Sequence, residues 1–291
     1  MTGNVNDATG NGEIFRQLHH NGKLLVLPNV WDPIGARLLE SLGYPAVATA
    51  SASIAVSNGY ADGENIPFDE VLCILKKIVR SVNIPVSADI ESGYTKQNPG
   101  LKDNIKKLAD TGIAGINFED SHHEVQGLVP VKEQCEKIAL IRSVAESTGS
   151  HFFINARSDV YIKSQNLPEE EKLKQVIERG QAYKEAGADG FYPITLKNKT
   201  GIETVIKEVS LPVNILLIPG IPGFETLQQM GLTRLSLGPG FLKIAINAMK
   251  NVAEKLLDYE GMDEIKDNPV TSDYLNSLIH SQHEFPQTNK K

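Results

Sequence analysis

Short apolar runs alternate with longer amphipathic ones along almost the whole chain. KLLVLPN, PAVATAS, IPVSAD, GINFED, HFFINARSD, GFYPI, VNILLIPG and RLSLGPG are short apolar stretches separated by turn signals such as LGYP, DTGIAG and AGADG. They predict eight strands. Helical spacing fills the gaps between them. DPIGARLLESLGY repeats apolar residues at Ile34, Leu38, Leu39 and Leu42, with Asp32 placed to cap the helix ahead of Pro33. FDEVLCILKKIVRSV, LKDNIKKLADTG, VKEQCEKIALIRSVAES, PEEEKLKQVIERGQAYKEAG, GIETVIKEV, GFETLQQMG and FLKIAINAMKNVAEKLLDYEG follow the later strands. Regular β/α alternation means a parallel sheet with crossover helices. Eight units are the number that closes a (β/α)8 TIM barrel, so the chain is expected to be α/β of that kind. Residues 1–262 are expected to form one barrel, the catalytic domain. Residues 263–291 are expected to be a C-terminal helical extension with a frayed tail.

Composition narrows the function classes. The chain has 291 residues, 41% hydrophobic and 22% charged, which supports a large core and excludes a disordered protein. A net charge of -7 disfavours nucleic acid and anionic membranes as partners. Cys73 and Cys135 are far apart and have no metal-ligand spacing, so both are read as reduced, buried thiols. The polar, glycine-rich N-terminus has no apolar signal core, and no run reaches transmembrane length. A soluble, cytoplasmic protein is expected.

The candidate chemistry sits where such barrels place it, at the C-terminal ends of the strands. The third strand runs into Asp89 and Glu91. The fourth ends in Glu119 and Asp120, and the fifth in Asn155, Arg157 and Asp159. Asp62 lies in the loop after the second strand, whose own end reads TASAS. Asp62, Asp89, Glu91 and Glu119 converging on one mouth would repel unless a divalent cation neutralised them. Oxygen-only donors favour Mg2+, or Mn2+ in its place, over zinc. Arg157 and Asp159 sit two apart on one strand face and are placed to pair. Trp31 is read as a wall residue. The glycine-rich turns PGIPG and GPG are read as tight turns.

These stretches resemble the phosphoenolpyruvate mutase/isocitrate lyase superfamily. GYADG, ADIESGYT, INFEDS and INARSD carry the resemblance, in that order and each after the expected strand. PVNILLIPGIP and LSLGPGFLKIA add to it, and it covers about Leu24 to Ala253. The resemblance implies a Mg2+-dependent enzyme that makes or breaks a C–C or P–C bond beside an α-oxo or α-hydroxy carboxylate, through an enolate-like intermediate. It implies Asp89 as direct metal ligand, with Asp62, Glu91 and Glu119 holding metal-bound waters or completing the shell. Ser51, with the Ala52 amide, would bind the substrate carboxylate, and Arg157 would bind and neutralise the same substrate. It further implies a homodimer or homotetramer in which the helix around Phe241 to Tyr259 swaps onto a neighbour. Ile244, Ala245, Ala248, Val252 and Leu256 would form its apolar face.

The departures from the family pattern are specific. Glu91 stands where the family usually carries a second aspartate. The lyase loop after the fourth strand, with its Lys-Lys/Arg-Cys-Gly-His signature, is replaced by EDSHHEVQGLVPVKEQ, which has no cysteine. The Lys and Asn of the mutase and hydrolase branches are also missing there. His122, His123 and Glu124 are therefore the candidate acid/base groups of this loop. The lyase Asn-x-Thr-Glu element is absent, Asn214 being its nearest counterpart. Two other readings stand beside this one. One is a phosphate-binding barrel enzyme of another class, although no strand end offers the lysine that a Schiff base would need. The other is a non-catalytic barrel that binds a metabolite.

Overall fold

A parallel strand must be followed by a crossover, and this chain supplies a helix for nearly every one. The computed structural model describes residues 8–95, 98–121 and 127–280. Its strands are β1 (Leu25–Leu27), β2 (Asn29–Val30), β3 (Val47–Thr49), β4 (Val86–Asp89), β5 (Gly115–Glu119), β6 (Phe153–Ser158), β7 (Gly190–Pro193), β8 (Asn214–Leu216) and β9 (Arg234–Ser236). Every strand pair is parallel. One run pairs in the order β2-β3-β4-β5-β6-β7 and the other in the order β1-β9-β8. The predicted first strand is thus cut in two at Pro28, whose ring leaves no N–H for a ladder. The two runs also meet at a parallel bridge between Phe191 and Val213.

Helices α2 (Pro33–Ser41), α4 (Phe68–Val79), α5 (Asn98–Ala109), α6 (Val131–Ser147), α8 (Glu169–Glu185), α9 (Lys199–Val209) and α10 (Phe224–Gln229) are the predicted crossovers. Their buried faces meet the strands' outward residues in one apolar cluster that includes Leu75, Ile78, Ile116, Ile154, Val205 and Leu235. α2 starts as its sequence dictates: Asp32 Oδ1 accepts from Gly35 N at 2.8 Å, with Pro33 at the first helical position. Two short helices were not foreseen, α3 (Ser51–Ser57) and α7 (Val160–Lys163). Cys73 corrects the expectation of two buried thiols. It falls on the solvent side of α4 and is exposed, while Cys135 is half-buried.

α1 (Ala8–Leu18) is a further addition, in a stretch whose glycines hide an amphipathic helix. It closes the end of the sheet where strands begin. Phe15 is fully buried against Phe153, ring centroids 5.8 Å apart, and a Cβ on Gly115 would come within 2.7 Å of its ring. His19 stacks on Phe153 with centroids 4.1 Å apart, and its Nδ1 bonds Phe15 O at 2.8 Å. Its Nε2 is buried with no partner among the described residues. Burial, then the charge of Arg234, holds the His19 pKa down at about 3. Arg16 pairs with Asp189, which Arg142 also holds from α6.

At the other end of the chain, α11 (Gly240–Leu257) has no buried residue. Ile244, Ile246, Met249 and Leu257 are exposed along it, so its apolar stripe is uncovered within this chain. α12 (Met262–Lys266) and α13 (Ser272–His280) follow, and α13 returns to α2, where Arg37 Nη1 donates to Leu278 O at 3.0 Å. Among the described residues no helix is long and apolar enough to cross a membrane.

Candidate active site

Asp89 ends β4 with two carboxylate oxygens in different circumstances. Oδ2 accepts from the Ser51 amide at 3.1 Å and from the Ser51 hydroxyl at 2.8 Å. Ser51 opens α3, and the first N–H groups of a helix have no intrahelical acceptor, so Asp89 serves as one. Asp89 N in turn donates to Thr49 Oγ1 at 3.1 Å. Oδ1 is buried and has no hydrogen-bond partner among the described residues. A carboxylate oxygen left so is costly unless something cationic meets it. Ser51, expected to face a substrate carboxylate, thus places both donors on Asp89 in this structure, and the half-buried Ala52 follows it in the same first turn.

Glu91 follows two residues on and is 3% exposed. Its φ is 49°, in the left-handed region that non-glycine residues seldom enter. Tyr94 OH donates to its Oε1 at 3.1 Å, and Glu119 N donates to its main-chain oxygen at 2.9 Å. Burial first, and then the charge of Asp89, push the Glu91 carboxyl up to about 8, with Asp62 adding in the same direction. Sequence reasoning overlooked the residue that holds this turn. Glu64 Oε1 accepts from Ser92 N at 3.0 Å, Ser92 Oγ at 2.8 Å and Tyr94 N at 2.8 Å. Its φ of 59° and that of Tyr94, 57°, add two more left-handed residues beside the site. Asp62 is exposed in the preceding turn, where its carbonyl accepts from Asn65 Nδ2 at 2.9 Å.

Glu119 and Arg157 are Cα partners across β5 and β6, and Arg157 Nη1 lies 2.7 Å from Glu119 Oε2. Arg157 also grips Asp159 with two bonds, Nε to Oδ1 at 2.6 Å and Nη2 to Oδ2 at 2.9 Å. Burial works against its charge, but Glu119, then Asp159 and Asp89, outweigh it and raise the Arg157 pKa well above the ordinary value. Burial raises Glu119 strongly. Arg157 opposes that, and Asp159, Asp89 and Glu91 reinforce it. Behind this group Asp120, 0% exposed, receives Asp159 N at 2.7 Å, Arg179 Nη1 at 3.0 Å and Tyr183 OH at 2.6 Å. Arg179 and Tyr183 come from α8. Their sequence signal, two polar groups four apart on a helix, is indistinguishable from an ordinary amphipathic face.

Asp89, Glu91, Glu119, Arg157 and Ser51 therefore come together at the strand ends, while Asp62 stays at the exposed edge. Among the described residues no three acidic, histidine or cysteine side chains are close enough to form a ready metal cage. The reason is visible in their partners: Ser51 takes Asp89, Tyr94 takes Glu91 and Arg157 takes Glu119. The donor set nevertheless fits a hard divalent cation. It is all oxygen, Asp89 Oδ1 is buried without a partner, and Glu91 and Glu119 are both pushed toward neutrality by burial and by the charge of Asp89. His122, His123 and Glu124 lie outside the described residues. The loop that carries them is pinched at its base by an antiparallel bridge between Ser121 and Leu128, and Ser121 Oγ donates to Asp159 Oδ2 at 2.5 Å.

A family model described as phosphoenolpyruvate phosphomutase matches residues 15–257, most of the chain and all nine strands. The chain belongs to this family. Its wider group is the phosphoenolpyruvate mutase/isocitrate lyase superfamily. A 2-methylisocitrate lyase of Halalkalibacterium halodurans is 26% identical over 261 residues, 86% of this chain and 83% of the relative. A crystal structure of a candidate phosphonomutase from Burkholderia cenocepacia J2315 has a TM-score of 0.80 at 35% identity, covering 84% of this chain and 99% of that one. A phosphonopyruvate hydrolase solved with oxalate and Mg2+ shares the fold, with a TM-score of 0.80 at 21% identity over 92% of this chain and 94% of its own. Members of the superfamily are lyases and mutases acting on oxo-carboxylates and phosphonates.

Proposed function

We propose that this chain is a divalent-cation-dependent enzyme that makes or breaks a C–C or P–C bond next to an α-oxo or α-hydroxy carboxylate, through an enolate-like intermediate. The observation that carries this reading is the buried, partnerless Oδ1 of Asp89 beside two carboxylates forced toward neutrality. Asp89 would be the direct ligand of Mg2+, and Asp62, Glu91 and Glu119 would complete the shell or hold its waters. The bound ion supplies positive charge against the oxyanion that develops on the substrate.

This chain's own residues do the rest. Arg157, rigidly held by Asp159, presents its guanidinium to the same developing charge. Ser51 Oγ, with the Ser51 and Ala52 amides at the start of α3, would bind the substrate carboxylate. His122, His123 or Glu124 supplies the proton that the cysteine of the lyase branch would have handled. β1 and β2 count as one stave, and the eight staves close into a barrel through the Phe191–Val213 bridge. Residues 1–262 are its catalytic domain and 263–291 its extension. α11 docks on a neighbouring copy in a homodimer or homotetramer.

The test is a screen of oxo and hydroxy acids and phosphonates with and without Mg2+, with oxalate as the enolate mimic. Turnover that needs the ion and is blocked by oxalate supports the reading. Metal-independent turnover, or no oxalate binding with Mg2+ present, rejects it.

A further inference from the structure

Tyr192 lies on β7 as the Cα partner of Arg157 on β6. Register partners on adjacent parallel strands project to the same face, so Tyr192 shares the interior face of Arg157. Its neighbour Phe191 goes the other way and meets Tyr183 of α8, ring centroids 6.3 Å apart at 61°. Tyr192 is 4% exposed, yet its hydroxyl forms no hydrogen bond among the described residues. The ring is buried, while the hydroxyl, which is not among the buried atoms without a partner, keeps access to solvent. The charges that act on this one are Arg157, Asp89, Arg234 and Asp159, which are those of the mouth plus one from below.

That additional charge is unusual. Arg234 on β9 is 1% exposed and has only neutral partners, Ser236 Oγ at 3.1 Å from Nε and Asn117 Oδ1 at 3.2 Å from Nη2. Its Nη1 is buried with no partner among the described residues. Burial lowers its pKa to about 10, which still leaves it protonated at neutral pH. Tyr192 therefore feels the charge of two guanidiniums and carries an O–H with no partner among the described residues, on the face that also carries Asp89 and Arg157.

We propose that Tyr192 is a catalytic residue whose hydroxyl donates a hydrogen bond to the substrate oxyanion beside Arg157, with the unpaired charge of Arg234 behind it. The inference rests on the oxo-acid reading of the site. It supplies a donor from the barrel wall, independent of the altered loop, and it favours substrates with a second oxygen on the carbon next to the carboxylate. Such a donor is directed at charge, so its removal is felt wherever the ligand is anionic.

The test is calorimetric titration of the full chain with Mg2+ and then with oxalate, for wild type and Tyr192→Phe. The variant keeps the ring and deletes only the hydroxyl. It is expected to bind Mg2+ as wild type does and to bind oxalate about tenfold to a hundredfold more weakly. Its melting temperature is expected to be unchanged or higher, because the deleted group has no protein partner. A role in holding the fold would lower it instead. Equal oxalate affinity in the two proteins, or a lowered melting temperature with unchanged oxalate affinity, overturns the role of Tyr192 and leaves the proposed function standing. A wild-type protein that binds no oxalate with Mg2+ present overturns both.

Discussion

Glu119 and Arg157 face each other across β5 and β6 with 2.7 Å between Oε2 and Nη1, Glu119 buried and Arg157 half-buried. Removing one partner of such a pair strands the other's charge. Arg157→Leu leaves two buried carboxylates, Glu119 and Asp159, and is expected to cost about 3–5 kcal/mol by urea unfolding. Glu119→Gln is expected to stay within about 1 kcal/mol of wild type, because that carboxyl already leans toward neutrality and Arg157 keeps Asp159.

Asp89→Ala is expected to weaken Mg2+ affinity by more than about a hundredfold, since a direct ligand should exceed the effect of an outer-shell partner. The fold should persist, because Oδ1 has no partner to lose among the described residues and only the two bonds from Ser51 are removed. Titration calorimetry and a thermal melt read the two effects separately. Wild-type Mg2+ affinity in this variant would refute the ligand assignment.

Glu64→Ala removes one acceptor from three donors in the turn that carries Glu91. The expected loss is about 2 kcal/mol, the scale of a bond or two to a charged group. Hydrogen exchange should quicken first at the Ser92 and Tyr94 amides. Unchanged protection there would mean that Glu64 does not hold the turn.

His19 titrates at about 3 in the folded chain against about 6.5 in an unfolded one. The unfolded state therefore takes up a proton that the folded state refuses. The stability this contributes is full above pH 6.5 and is lost as pH falls from there toward 3. Between pH 7 and pH 5 the loss is about 2 kcal/mol. His19→Gln should lose correspondingly less over the same interval in denaturant unfolding. An equal loss in both proteins would place the acid sensitivity elsewhere.

The uncovered stripe of α11 makes a prediction about assembly. Light scattering at micromolar concentration is expected to give a dimer or tetramer, and Ile244→Glu with Met249→Glu, both at exposed apolar positions, is expected to give a monomer. A monomeric wild type would contradict the swap.

The alternation of apolar and amphipathic runs made the order of strands and crossovers legible, because parallel strands buried on both faces leave continuous apolar runs. Asp89, Glu91, Glu119 and Arg157 were legible for a related reason: charges that terminate buried strands have few bland explanations. Three things were not. α1 was masked by its glycines and polar residues, since only Phe15 and its neighbours mark its buried side. Glu64 looked like ordinary turn chemistry, and its three bonds depend on a loop that is close in space only after folding. Tyr192 and Arg234 sit inside runs that read as core, and their shared interior face follows from strand register, which a single sequence does not display.

The position of α1 bears on how the protein is best handled. Phe15 and His19 close the end of the sheet where β5 and β6 begin, whereas Asp89, Glu119 and Arg157 lie where β4, β5 and β6 finish. An affinity tag, a fluorophore or a surface tether joined ahead of α1 would therefore be anchored through the end of the sheet away from Asp89, Glu119 and Arg157. Immobilised through that end, the molecule presents those strand-end side chains to whatever flows over it.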